Sequence, residues 1–148
     1  MTLEACIDGG SRRNPGPSGF GVYLPGLVSV AEYLGHKANN FAENSALVSA
    51  LRFAADRECK QLKIYSDSEL VVKQIKGIYT VRNESIRPLS EWAKDLIARL
   101  PRFSIEHVRR EFNRVADKLA NEAMDLKGNL MRWESTDPTS SQPGLFQP

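Results

Sequence analysis

Leu3-Glu4-Ala5-Cys6-Ile7-Asp8-Gly9-Gly10-Ser11-Arg12-Arg13-Asn14-Pro15-Gly16-Pro17 sets the frame of the chain. A short apolar run closed by a Gly/Asn/Pro cluster reads as a strand, residues 3–8, ending in a tight loop, residues 9–17. Gly19-Phe20-Gly21-Val22-Tyr23-Leu24 follows at once as a second strand, so the pair forms a hairpin. Asp8 is the odd residue, because a carboxylate at the end of an apolar strand is costly to bury without compensation. Two readings stay open from this stretch alone. Asp8 either caps the turn through the loop's N–H groups, as Asp before Gly commonly does, or it holds a metal.

The 148 residues are 41% hydrophobic and 26% charged, as expected of one soluble globular domain with its own core. No apolar run reaches the length of a membrane span, and Met1-Thr2-Leu3-Glu4 carries no signal-peptide pattern, so a cytoplasmic protein is expected. Cys6 and Cys59 are too few for a disulfide framework and are expected as reduced thiols. A net charge of +2 is uninformative by itself; the placement of the charges matters more.

Outward from the hairpin, residues 27–35 read as a third strand. Asn39 or Asn40 then caps a helix whose apolar face carries Leu47, Ala50, Leu51 and Ala54. Leu62-Lys63-Ile64-Tyr65-Ser66-Asp67 is a short strand, and a helix from Ser68 to Lys76 stops at Gly77. A polar connection, residues 78–87, leads to an amphipathic helix marked by Leu89, Trp92, Ala93, Leu96 and Leu100. Residues 103–108 form a fifth strand. Asn113 opens a last helix with Val115, Ala116, Leu119, Ala120 and Ala123 inward. The order βββαβααβα is an α/β fold with a five-stranded mixed sheet flanked by helices.

Four acids fall at element boundaries: Asp8, Glu43, Asp67 and Asp117. If the first and fourth strands run side by side, Asp8 and Asp67 leave the same carboxyl edge, where α/β folds place ligands. Converging carboxylates repel unless cations join them, and hard oxygen ligands suit Mg²⁺ or Mn²⁺. No His/Cys cluster offers zinc a site, and no phosphate-binding Gly-x-x-x-x-Gly-Lys loop is present.

Asp8 through Gly21, Asn39-Asn40-Phe41-Ala42-Glu43, Tyr65-Ser66-Asp67-Ser68-Glu69-Leu70-Val71 and Asn113-Arg114-Val115-Ala116-Asp117-Lys118-Leu119-Ala120 resemble the four signature blocks of type 1 ribonuclease H, in that family's order. The resemblance covers residues 1–127 and implies a ribonuclease H-like fold. It implies an endonuclease for the RNA strand of RNA/DNA hybrids, working by two-metal-ion catalysis and leaving 5′-phosphate and 3′-hydroxyl ends. Its cofactor would be Mg²⁺, a pair per site, with Mn²⁺ able to substitute. Asp8 would bridge both ions, Asp117 would share the water-bearing one, and Glu43 and Asp67 would complete the other. Gly9, Gly10, Ser11, Asn14, Asn39, Asn40 and Ser68 match positions near the substrate. Each asparagine also has a plainer role, as turn former for Asn14 and helix cap for Asn39 and Asn40. A non-catalytic hybrid-binding module, or a DNA-cutting nuclease of the same fold, remains the alternative.

Two departures from the family stand out. The basic, Trp-containing helix that serves many relatives as a substrate handle has no counterpart in residues 77–88, and Lys73, Lys76, Arg82 and Arg87 remain as a reduced basic edge. His107 lies within the fifth strand rather than in the loop after it, where the family carries a histidine; Arg109, Arg110 and Glu111 stand in that loop. Residues 1–133 are therefore read as the catalytic domain of a monomer, and 134–148 as a disordered tail. In that tail Gln142, Leu145 and Phe146 resemble the Gln-x-x-Leu-Phe peptide that docks bacterial replication and repair proteins on the sliding clamp.

Overall fold

The first strand runs further than its apolar core. In a computed structural model that describes residues 1–134, β1 spans Thr2–Ser11 and pairs antiparallel with β2, Gly16–Leu24. Asp8 thus lies within the strand, opposite Gly21, rather than at its end, and Gly9, Gly10 and Ser11 belong to the strand rather than the turn. The apolar pattern stops at Asp8, but the backbone ladder continues to the Ser11–Ser18 pair.

β3, Val28–Lys37, continues the meander. α1, Asn39–Asp56, then crosses to β4, Gln61–Ser66, which lies parallel to β1. α2, Glu69–Ile75, follows, with Ser68 as its cap: the Ser68 hydroxyl accepts from the Val71 N–H at 3.2 Å. α3, Arg87–Ala98, leads to β5, Arg102–His107, parallel to β4. A single 3₁₀ turn, Arg110–Phe112, precedes α4, Arg114–Leu126.

A sixth strand, β6, Leu130–Trp133, pairs with the outer side of β3 and was not expected. It is four residues long with little burial, so it has no alternating signature of its own. The sheet order is β5-β4-β1-β2-β3-β6, a mixed sheet as expected. Glu134, placed in the tail from sequence, still donates to the Leu27 carbonyl at 2.8 Å. The other tail residues, including Gln142, Leu145 and Phe146, lie outside the described residues.

Helices cover both faces. Leu47, Ala50, Leu51 and Ala54 of α1 are fully buried against Ala5, Ile7, Leu62 and Ile64, as the helical spacing predicted. On the other face α4 rests on β2 through Ala116, Leu119, Ala120 and Ala123. Val115 is 46% exposed, not inward: a face this narrow uses the helical positions 116, 119, 120 and 123, and 115 points off its edge. Trp92 is also half outside, with the Arg52 guanidinium 5.1 Å from its ring.

The start of α1 corrects a further expectation. Neither Asn39 nor Asn40 caps it; Ala38 occupies the cap position without a side-chain bond. The oxygen comes instead from the hairpin turn, where Asn14 Oδ1 accepts from the Asn39 N–H at 2.9 Å. Asn39 Oδ1 in turn accepts from the Ser11 N–H at 2.7 Å. Two exchanged bonds thus dock the helix N-terminus on β1.

Candidate active site

The topology brings together ends that are remote in sequence. Because β4 lies parallel to β1 and its ladder stops at the Ile7–Ser66 pair, Asp67 leaves the sheet beside Asp8. Gly9 lets α1 close the third side: a Cβ there would overlap the backbone of Ala42 and Glu43, so the helix can lie directly on the strand. Asp8, Glu43 and Asp67 consequently offer carboxylate oxygens that all lie within 4.8 Å of one another.

Asp117 arrives from the other face. Gly21, opposite Asp8 in register, leaves room for the Ala116 carbonyl and Leu119, so the first turn of α4 sits on the strand pair. There the Asp117 carboxyl makes a hydrogen-bond contact with Asp8. All four acids line one cleft of about 520 Å³ with Gly9, Gly10, Ser11 and Asn39.

The electrostatics of this cleft are strained without cations. Asp8 is only 8% exposed, and its pKa is pushed up to about 9, first by burial and then by the charges of Asp67 and Glu43 and the contact with Asp117. Glu43 is raised as well, chiefly by burial, although the Ser68 hydroxyl and the Gly9 N–H partly stabilise its charge. Arg110 Nε stands 3.8 Å from Asp67 Oδ2 at the mouth of the cleft. A pocket of converging oxygens that resists deprotonation fits a hard divalent cation, whose charge reverses the pKa logic.

Other expected residues divide. Ser68 touches Glu43 and caps α2, so it supports the acids rather than lining the cleft. Asn14 is exposed in the turn and holds α1. Asn40 turns back along its own helix, where its Oδ1 accepts from Asn44 Nδ2 at 3.0 Å. His107 is exposed at the end of β5, and the cleft is lined instead by Arg110 from the following turn. Arg12, Asn121 and Met124 also line it without having been singled out. For Asn121 the only sequence signal was its place one helical turn after Asp117.

A mixed sheet covered on both faces, with acids from two strands and two helices gathered in one cleft, defines a ribonuclease H-like fold with a carboxylate cluster that could hold a metal ion. Residues 7–123 match the family described as "Reverse transcriptase-like". The chain is 38% identical to "Ribonuclease HI" of Halobacterium salinarum over 128 residues, covering 83% of this chain and 64% of that protein. It spans 35% of a Mycobacterium tuberculosis relative at 36% identity, so these curated relatives are longer. The crystal structure of RNase H1 from the same Halobacterium superposes with a TM-score of 0.80 at 37% identity, covering 84% of this chain and 98% of that one. LC11-RNase H1 in complex with RNA/DNA hybrid gives 0.79 at 32% identity, with 84% and 98% covered. The chain belongs to the ribonuclease H family, whose members are metal-dependent.

Proposed function

We propose that this chain is an endonuclease that hydrolyses the RNA strand of RNA/DNA hybrids, leaving 5′-phosphate and 3′-hydroxyl ends. The observation that carries the reading is the convergence of Asp8, Glu43 and Asp67 within 4.8 Å, with Asp117 against Asp8. The hybrid-bound relative LC11-RNase H1 supports the substrate. Mg²⁺ is the proposed cofactor, a pair per site with Mn²⁺ able to substitute, because the donors are all carboxylate oxygens. Such a pair, when bound, activates water and stabilises the leaving oxygen of the scissile phosphate.

The protein's own residues prepare that chemistry. Asp8, Glu43, Asp67 and Asp117 gather carboxyl groups whose joint ionisation a divalent cation would stabilise. Ser68 and the Gly9 N–H keep Glu43 oriented by donating to it. Gly10 keeps the cleft floor free of a side chain while Gly9 lets α1 close on it, so main chain can meet the RNA strand, and Ser11 and Asn39 form its edge. Asn14 and Asn40 are proposed as outer contacts, Asn14 also by fixing the start of α1.

Among the described residues no helix is long and apolar enough to cross a membrane. The free thiols of Cys6 and Cys59 support a cytoplasmic setting, and a monomer is the proposed form. The catalytic domain is assigned to residues 1–133. For the tail we propose docking on a bacterial sliding clamp through Gln142, Leu145 and Phe146, which would raise the local concentration at replicating DNA. Clamp binding should be lost in a Leu145→Ala/Phe146→Ala variant while hybrid cleavage persists; equal binding by both forms, or by neither, refutes it.

One assay tests the main reading: labelled hybrid, duplex RNA and duplex DNA, each with Mg²⁺, Mn²⁺ or chelator. Cleavage confined to the RNA strand of the hybrid and abolished by chelator is the expected result. Cutting of DNA would point to a DNA nuclease of the same fold, and metal-dependent binding without turnover to a binding module.

A further inference from the structure

Three of the four acids are fixed by the β1/β4 edge and the helix laid against it, but Asp117 comes from the opposite layer. Its distance from Asp8 therefore depends on how α4 is seated along the sheet. Glycines beneath the helix set its height, as Gly19 and Gly21 leave no room for a side chain under Ala116, Ala120 and Ala123. Flat contacts of this kind do not fix position along the helix axis, which needs directional bonds.

One is the Asn113 Nδ2 bond to the Ile7 carbonyl at the start of α4, and a cross-brace supplies others at the cleft wall. Arg12, in the turn after β1, reaches α4 with Nη2 at 2.8 Å from Asp125 Oδ1, 3.2 Å from Asn121 Oδ1 and 3.3 Å from the Asn121 carbonyl. Asn121 Nδ2 in turn donates to the Asp117 carbonyl at 2.9 Å and reaches the Asp117 carboxylate Oδ1 at 3.4 Å. Arginine carries donors only, so the Asn121 amide must show its oxygen to Arg12 and its NH₂ to Asp117. Rotated by half a turn, the amide would set its oxygen against the Asp117 carboxylate and its NH₂ against the guanidinium.

We propose that Arg12 and Asn121 are positioning residues that orient the Asp117 carboxylate for metal binding, Arg12 acting by fixing the sense of the Asn121 amide. The inference rests on the nuclease reading of the site. The brace is half open to solvent, with the Arg12 side chain 42% exposed and that of Asp125 66% exposed, so its contribution to global stability is small. That separates a positioning role from a merely structural one.

Wild type, Arg12→Met, Asn121→Leu and the double variant are compared for Mn²⁺ binding without nucleic acid, followed by electron paramagnetic resonance. Melting temperature in chelator, and kcat and KM on labelled hybrid, are measured in parallel. Partners that orient a metal ligand contribute about 10-fold or more to affinity. Each single variant should therefore bind Mn²⁺ about tenfold more weakly and lose kcat at fixed Mg²⁺, recovering it when Mg²⁺ is raised, with little change in melting temperature. The double variant should be no worse than the worse single one, because both act on one carboxylate. Unchanged Mn²⁺ affinity in both single variants overturns the proposal, as do additive losses or losses that track melting temperature. A wild-type protein that neither binds Mn²⁺ nor cleaves hybrid overturns the nuclease reading itself and this inference with it.

Discussion

Asp8 holds its proton up to a pH of about 9 because burial and three neighbouring carboxyls disfavour its charge. In the unfolded chain the same group ionises near its ordinary value, so between about pH 4 and pH 9 the native state binds the extra proton. The metal-free protein therefore has the full benefit of a neutral Asp8 at low pH and loses it progressively as pH rises toward 9. Asp8→Asn should melt higher than wild type in chelator, by a margin that grows with pH, while cutting hybrid cleavage by more than about a hundredfold. Melting curves at several pH values and a single-turnover assay check both halves; near wild-type turnover would remove Asp8 from the metal site. Because bound cations require the ionised acid, Mg²⁺ binding should also release protons at neutral pH. Calorimetry in two buffers of different ionisation enthalpy would detect that release. Gly9 is constrained more simply: Gly9→Ala pushes a methyl into the backbone of Ala42 and Glu43, and overpacking of this kind costs about 1–3 kcal/mol. Denaturant unfolding should show the loss, together with weaker metal binding, since Glu43 moves with α1.

At the level of elements, α4 is held at its start by a bond the surface cannot replace. Asn113 is 1% exposed, and its Nδ2 donates to the Ile7 carbonyl at 2.8 Å, one residue before Asp8. Asn113→Ala removes that bond and should destabilise the fold by about 1–3 kcal/mol, read as a lower urea midpoint with unchanged slope. The strands and helices that carry the acids were legible because each has a plain local signature. β1 and β4 are short apolar runs broken by Asp8 and Asp67, and α1 shows Leu47, Ala50, Leu51 and Ala54 at helical spacing. Asp8 and Asp67 meet as the boundary argument anticipated, because that needed only the parallel pairing of β1 with β4, whereas Glu43 joins them because Gly9 lets α1 lie on the strand. What escaped the sequence depends on distant partners. Asn14 satisfies the first N–H of α1 across the hairpin, β6 is ordered by the edge of β3, and Val115 lies just off a face whose width α4 acquires only by resting on β2. Arg12 and Asn121 stand far apart in sequence, and no local pattern joins them.

Taken whole, the molecule presents few cations to a polyanion. Net charge is only +2, Lys73 is engaged by Glu69 at 3.2 Å, and of the two cleft arginines Arg12 is paired with Asp125 at 2.8 Å while Arg110 stands 3.8 Å from Asp67. Binding to hybrid should therefore neutralise few phosphates, and a plot of log K against log salt should have a slope of about −3, as for three or four contacts. A slope near −9 would reveal a basic surface of a different order. The order of the acids along the chain also has a consequence in time. Asp8, Glu43 and Asp67 belong to segments synthesised early, whereas Asp117 and the helix that covers the second face of the sheet come late. A nascent chain halted before α4 emerges can pair its first strands but has neither the fourth acid nor the cover over Gly19 and Gly21. Translation thus sets the order of assembly: until α4 is made, three of the four acids are present without the fourth, and the cleft is complete only after it.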